Sequence, residues 1–212
     1  MTIHALALAA LIRHCARAVA PSTMAAIVQV KSGGDPFAIG DNTTRRSYYP
    51  HDRASAESLA RRLLDSGHLL DVGIAQIDSM NFAGFGVTAH TIFDPCINLN
   101  VGARILNDDY AFAAQRYGDG QIALRHAIGM YNTGRLNAGA RYIARVLAAA
   151  GIQEDHSGGS RVISQRDAMR SPLLVRVAIV RRALPTSRRG SVTPARSPIL
   201  VTVARMSRVK IF

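Results

Sequence analysis

The chain is poor in cysteine, lysine and glutamate, and it has no apolar run of membrane length. Only Cys15 and Cys96 occur among 212 residues, 81 positions apart and without CxxC spacing. That excludes a zinc ribbon and a disulfide-dense scaffold. In an exported protein the pair would close one disulfide over a long loop; otherwise they are two separate buried thiols. No stretch approaches the ~20 apolar residues that a spanning helix needs, so no membrane span is expected. The opening MTIHALALAALIRHCARAVAP has the look of a secretion signal, but it lacks a Lys/Arg-rich start and Arg13 breaks its apolar run. Cleavage after Ala20 would place Pro21 first and discard Cys15, so residues 3–19 read as a domain helix. The seven histidines form no HExxH pattern, and neither GxxxxGK[ST] nor GxSxG is present. No cofactor is implied.

Two of the 26 basic residues are lysines, Lys31 and Lys210, and only two glutamates exist, Glu57 and Glu154. A chain so rich in Arg and Ala has the composition of a GC-rich gene. The net charge of +12 is uneven: residues 1–150 hold 14 Lys+Arg against 11 Asp+Glu, and residues 151–212 hold 12 against 3. The basicity therefore belongs to the C-terminal part and says little about the chemistry of the rest.

Residues 1–152 read as one domain and 153–212 as a basic tail rich in Arg, Ser, Pro and Val. An amphipathic helix opens the domain, with Leu6, Ala9, Ala10, Ile12 and Ala16 recurring. TMAAIVQVKS is a largely apolar, buried helix, with Ser22 its candidate N-cap and Gly33–Gly34 its stop. Residues 35–53 are polar and turn-rich. Ser55–Ser66 is a helix, with Ser55 its candidate N-cap. Asp78–Ala89 is loop-like. Asp94 and Pro95 open a long helix through Tyr117, and Ile122–Tyr131 and Arg141–Ala150 are two more. The class is mainly α with at most one small β-hairpin. The tail has three open readings: a flexible basic segment, a small β appendage built from LLVRVAIV and PILVTVARM, or text read out of frame. Its charge would attract phosphates, but it lacks interleaved aromatics, so nucleic acid is not the expected partner.

Four motifs carry the chemistry: VKSGGDP from Val30, GIAQI from Gly73, FDPCINLNVGARIL from Phe93, and MYNTG from Met130. In this order and spacing the chain resembles the lytic transglycosylase (SLT, goose-type lysozyme-like) family, most nearly the VirB-type members that serve type IV secretion. The resemblance covers roughly residues 5–150. It implies a lysozyme-like helical fold, a periplasmic setting, peptidoglycan as substrate and secretion-system components as partners. It also implies cleavage between N-acetylmuramic acid and N-acetylglucosamine with closure of a 1,6-anhydro ring. In the family one glutamate is both acid and base, unlike the usual carboxylate pair of glycosidases. Lys31 stands at that position. Ser32 matches the serine beside it, Gln76 the glutamine lining the cleft, and Tyr131 and Asn132 the third motif, whose tyrosine hydroxyl can hold the acid. Asn98 and Gly102 match the core helix motif, and Ala75 stands where many relatives carry Met.

Each residue also has a plainer reading. Gln76 and Asn132 could satisfy backbone groups in turns, Tyr131 could be a core aromatic, and Ser32 a helix terminator. Lys31 has no chemical reprieve. A lysine ammonium titrates near about 10.4, far too weak an acid for a sugar leaving group. As a cation it opposes an oxocarbenium-like transition state. Loss of a general acid costs on the order of 10²–10⁴ in rate. Asp35, beyond the glycine break, is expected to point away, and the sequence offers no other stand-in. The expectation is a lytic-transglycosylase domain inactivated at Lys31, or a non-catalytic wall-binding relative.

Overall fold

The computed structural model describes residues 2–152; the proposed tail lies outside them. Seven α-helices and one antiparallel sheet make up the described part. In order they are α1 (Ala5–Cys15), α2 (Pro21–Lys31), β1 (Ile39–Asp41), β2 (Arg46–Tyr48), α3 (Arg53–Asp65), β3 (Leu70–Val72), β4 (Ile77–Asp78), a 3-10 turn at Ser79–Asn81, α4 (Phe82–Phe85), α5 (Pro95–Tyr117), α6 (Gln121–Thr133) and α7 (Ala140–Ala149).

The class is mainly α, as expected, with more sheet than one hairpin. Four short strands run in the order β2-β1-β3-β4, all antiparallel. Strands of two or three residues are too short to show a period of two, which is why the sequence pattern hides them. Ile39, Asp41, Leu70, Val72 and Ile77 are buried on one face. The other face carries Gly40, Asp71 and Asp78, which sit side by side across the three strands.

Two helix starts differ from the sequence reading. The cap of α3 is Asp52, whose carboxylate accepts from the Ser55 N–H at 2.8 Å, so Ser55 lies inside the first turn. The anionic side chain wins because it meets the positive end of the helix dipole. Helix α2 starts on Pro21, with Ala20 and not Ser22 in the cap position; proline's fixed φ suits the first helical residue. Helix α5 opens as expected, the Asp94 carboxylate accepting from the Cys96 and Ile97 N–H groups.

The core includes fully buried Met24, Ile27 and Val28 of α2 and Leu99 and Leu106 of α5. Helix α6 packs along α5, and α7 packs on both α6 and α2. Helix α1 packs on α2 and α5, and the Cys15–Cys96 disulfide fastens its end to the start of α5, with Cα atoms 5.1 Å apart. Of the two readings of the cysteines, the disulfide is the one present. No helix among the described residues is long and apolar enough to cross a membrane.

Candidate active site

The end of α2, the open sheet face and helices α6 and α7 converge on Lys31. Its side chain is only 11% exposed, and Nζ lies 3.5 Å from the Asp71 carboxylate on β3. The same ammonium stands 5.9 Å from the ring centre of Tyr131 and 5.7 Å from that of Tyr142. Cation–π attraction at such distances adds to the ion pair. The Asn42 amide donates to the other Asp71 oxygen at 3.3 Å. Lys31 is thus held by one anion and two aromatic faces.

The remaining motif residues meet on a single loop, residues 73–76. Ser32 Oγ donates to the Ile74 carbonyl at 2.6 Å and accepts from the Gly34 N–H. The Tyr131 hydroxyl donates to the Ala75 carbonyl at 2.9 Å, and not to the side chain at position 31. Fully buried Asn98 accepts from the Ala75 N–H and donates to the carbonyls of Val72 and Ile92. The Gln76 amide donates to the carbonyls of Ala38 and Gly73 while its own backbone adopts φ +53°. Gly73, at φ +77°, has no side chain because one would collide with the Asn98 amide. Gly102 is bare for a similar reason: a Cβ there would lie 2.8 Å from the Tyr131 hydroxyl. Asn132, by contrast, is exposed and makes no side-chain hydrogen bond among the described residues. The structure therefore gathers Lys31, Ser32, Gln76 and Tyr131 and leaves Asn132 at the rim.

Three residues of the site escaped the sequence reading. Asp71 and Asp78 are directly opposed on β3 and β4, so their side chains share a face. Burial pushes the Asp78 carboxyl above its usual range and the Asp71 charge adds to this, against the Met80 N–H and the Lys31 ammonium. An acid that the sequence reading did not weigh, Asp71, thus stands beside Lys31, as its ion-pair partner. Asp35 is not such an acid: it is buried, and its carboxylate accepts from the Phe37 N–H in the turn after α2. Tyr142 is the third residue: it is 7% exposed, and its hydroxyl is buried with no hydrogen-bond partner among the described residues. Burial pushes both tyrosine hydroxyls far up, so they are neutral donors at any working pH. Asp109 on α5, half-buried, is pushed to about 7 by burial and then by Asp108. Among the described residues no group of three or more His, Cys, Asp and Glu side chains could hold a metal ion.

The family model for the transglycosylase SLT domain matches residues 10–150. The chain belongs to this family. It is 42% identical over 140 residues to protein virB1 of Agrobacterium fabrum, covering 65% of this chain and 57% of that protein. It is 39% identical over 150 residues to the type IV secretion system protein virB1 of Brucella abortus, covering 67% and 63%. The chain thus spans less than two thirds of the length of these relatives. No solved structure matches it. The matched residues include every element around Lys31: α2, the sheet, the 73–76 loop, α6 and α7.

Proposed function

We propose that residues 1–152 are the peptidoglycan-engaging, lytic-transglycosylase-type unit of a type IV secretion apparatus, working in the periplasm, and that Lys31 deprives this chain of the transglycosylation step. One observation carries the reading. The side chain at the family's acid position is an ammonium paired with Asp71 at 3.5 Å, beside Ser32, Gln76 and Tyr131, whose hydrogen bonds to backbone are made without it. In the family reaction, a carboxylic acid there protonates the oxygen linking N-acetylmuramic acid to N-acetylglucosamine. As carboxylate it then takes the proton of the 6-hydroxyl that closes the 1,6-anhydro ring. An ammonium can do neither at neutral pH, and its charge opposes the cationic transition state. Ser32, Gln76 and Tyr131 support the reading as the residues that shape the cleft, and Asn132 as a rim contact for the strand.

A second reading, a non-catalytic wall-binding assembly protein, is favoured by the same observation, since the hydrogen bonds of Ser32, Gln76 and Tyr131 are made without a carboxylic acid at position 31. The test is digestion of purified peptidoglycan by this chain beside its Lys31→Glu variant. The variant is expected to release 1,6-anhydro-muropeptides at least about 10² faster. Equal, rapid release by the lysine form would refute the proposal. Binding without cutting by either form would favour the second reading.

A further inference from the structure

We infer that a groove between the end of α1, α4 and the first half of α5 docks a short peptide segment of a partner protein, one in which a carboxylate stands beside apolar side chains. The inference does not rest on the proposed function, because the groove shares no residue with the site around Lys31.

The groove holds about 360 Å³, within the ordinary range of ligand sites. Phe85 and Val87 line it from one side, and Ile97, Asn100, Val101 and Arg104 from the other, against the Cys15–Cys96 disulfide. The four α5 residues recur at spacings of three and four, so they share one helix face. Ile97 is 37% exposed, and Phe85 and Val87 are half-buried, so apolar surface meets solvent here. The disulfide ties α1 to α5 and sets the groove before anything binds, which cuts the ordering cost of binding.

Two polar groups give the groove its chemistry. The Arg104 guanidinium lies 4.7 Å from the ring centre of Phe85. Stacking on an aromatic face holds the planar fork and leaves its edge N–H groups for the two oxygens of a carboxylate. Among the described residues no carboxylate takes them, not even Asp108 one turn along α5. The Asn100 amide donates to the Cys15 carbonyl at 3.2 Å. That bond orients the amide and leaves its oxygen as an acceptor for a peptide N–H.

Charge decides the occupant. The lining holds the Arg104 cation and no Asp or Glu. Residues 151–212 of this chain carry 12 Lys+Arg against 3 Asp+Glu, which makes them a poor match for it. An acidic residue flanked by apolar ones fills the walls, the guanidinium fork and the Asn100 acceptor together.

The experiment pans phage-displayed random heptapeptides against the full chain at about 0.15 M salt, where long-range attraction to its basic residues is screened. The expected result is enrichment of peptides with Asp or Glu beside apolar residues. The synthesised consensus peptide should lose tenfold or more in affinity for Arg104→Gln, and as much when its own acid is made an amide. Arg104→Lys should lose nearly as much, since lysine keeps the charge without the fork. Lys31→Glu should bind as the parent does. Arg104 is exposed, so both of its variants should melt as the parent does. No enrichment, enriched peptides without an acid, undiminished affinity of Arg104→Gln, or displacement of the peptide by muropeptides each overturn the inference.

Discussion

Replacing Asn98 by alanine tests the site's architecture most directly. Asn98 is fully buried and makes three hydrogen bonds of 2.8 to 3.0 Å, accepting from Ala75 N–H and donating to the carbonyls of Val72 and Ile92. Alanine would leave one donor and two acceptors buried without partners, each at a cost of about 1–3 kcal/mol. The loss of the amide's packing adds to this, and water entering the gap subtracts from it. The expected destabilisation is about 3–5 kcal/mol, in the range reserved for broken buried networks. Asn98→Asp should be at least as harmful, because it sets a carboxylate against the two carbonyls that now accept from the amide. The assay is denaturant unfolding followed by circular dichroism, with the midpoint and slope compared. A loss below about 1 kcal/mol for Asn98→Ala, with an unchanged slope, would refute the view that this side chain holds the 73–76 loop.

Removing the disulfide by paired Cys15→Ser and Cys96→Ser changes should cost about 2–4 kcal/mol, read as a lower melting temperature. Gly102→Ala should destabilise the domain and weaken the Tyr131 bond to Ala75, since the new methyl would lie 2.8 Å from the tyrosine hydroxyl; tyrosine fluorescence and melting would show it. Burial pushes the Asp41 carboxyl up, but bonds from Thr44, His68 and Thr43 outweigh this and hold it at about 2, below its ordinary 3.8. A depressed pKa stabilises above the unfolded value, so this contribution should be intact above pH 4 and vanish as pH falls toward 2. Acid titration of Asp41→Asn should be flatter across that window. In a Lys31→Glu background, Asp71→Asn should shift the alkaline limb of the pH–rate profile to lower pH, because a neighbouring carboxylate raises an acid's pKa.

Much of this was legible from local pattern. Apolar periodicity and the Asp94–Pro95 start located the long helix, and the glycines after Ser32 located the end of α2, both at φ above +60°. Distances along the chain hid the rest. Asp71 lies 40 residues from Lys31, and nothing in LDV distinguishes it from any strand residue. Tyr142 sits on a helix whose amphipathic pattern already accounts for a buried aromatic. Local chemistry misled at Ser55, which is a good cap in isolation but stands three residues after a better one, Asp52. The roles of Gln76 and Tyr131 were also only half visible. Their polar ends hold backbone carbonyls of a loop, a relation that motif spacing does not record.

The clamp on residues 73–76 has an evolutionary side. The hydrogen bonds of Ser32, Asn98, Gln76 and Tyr131 go to backbone, and none goes to the side chain at position 31. Selection for a folded domain therefore preserves them even after selection for cutting has ceased. A lineage can lose its acid, keep every other mark of its ancestry for a long time, and regain the acid by one base change.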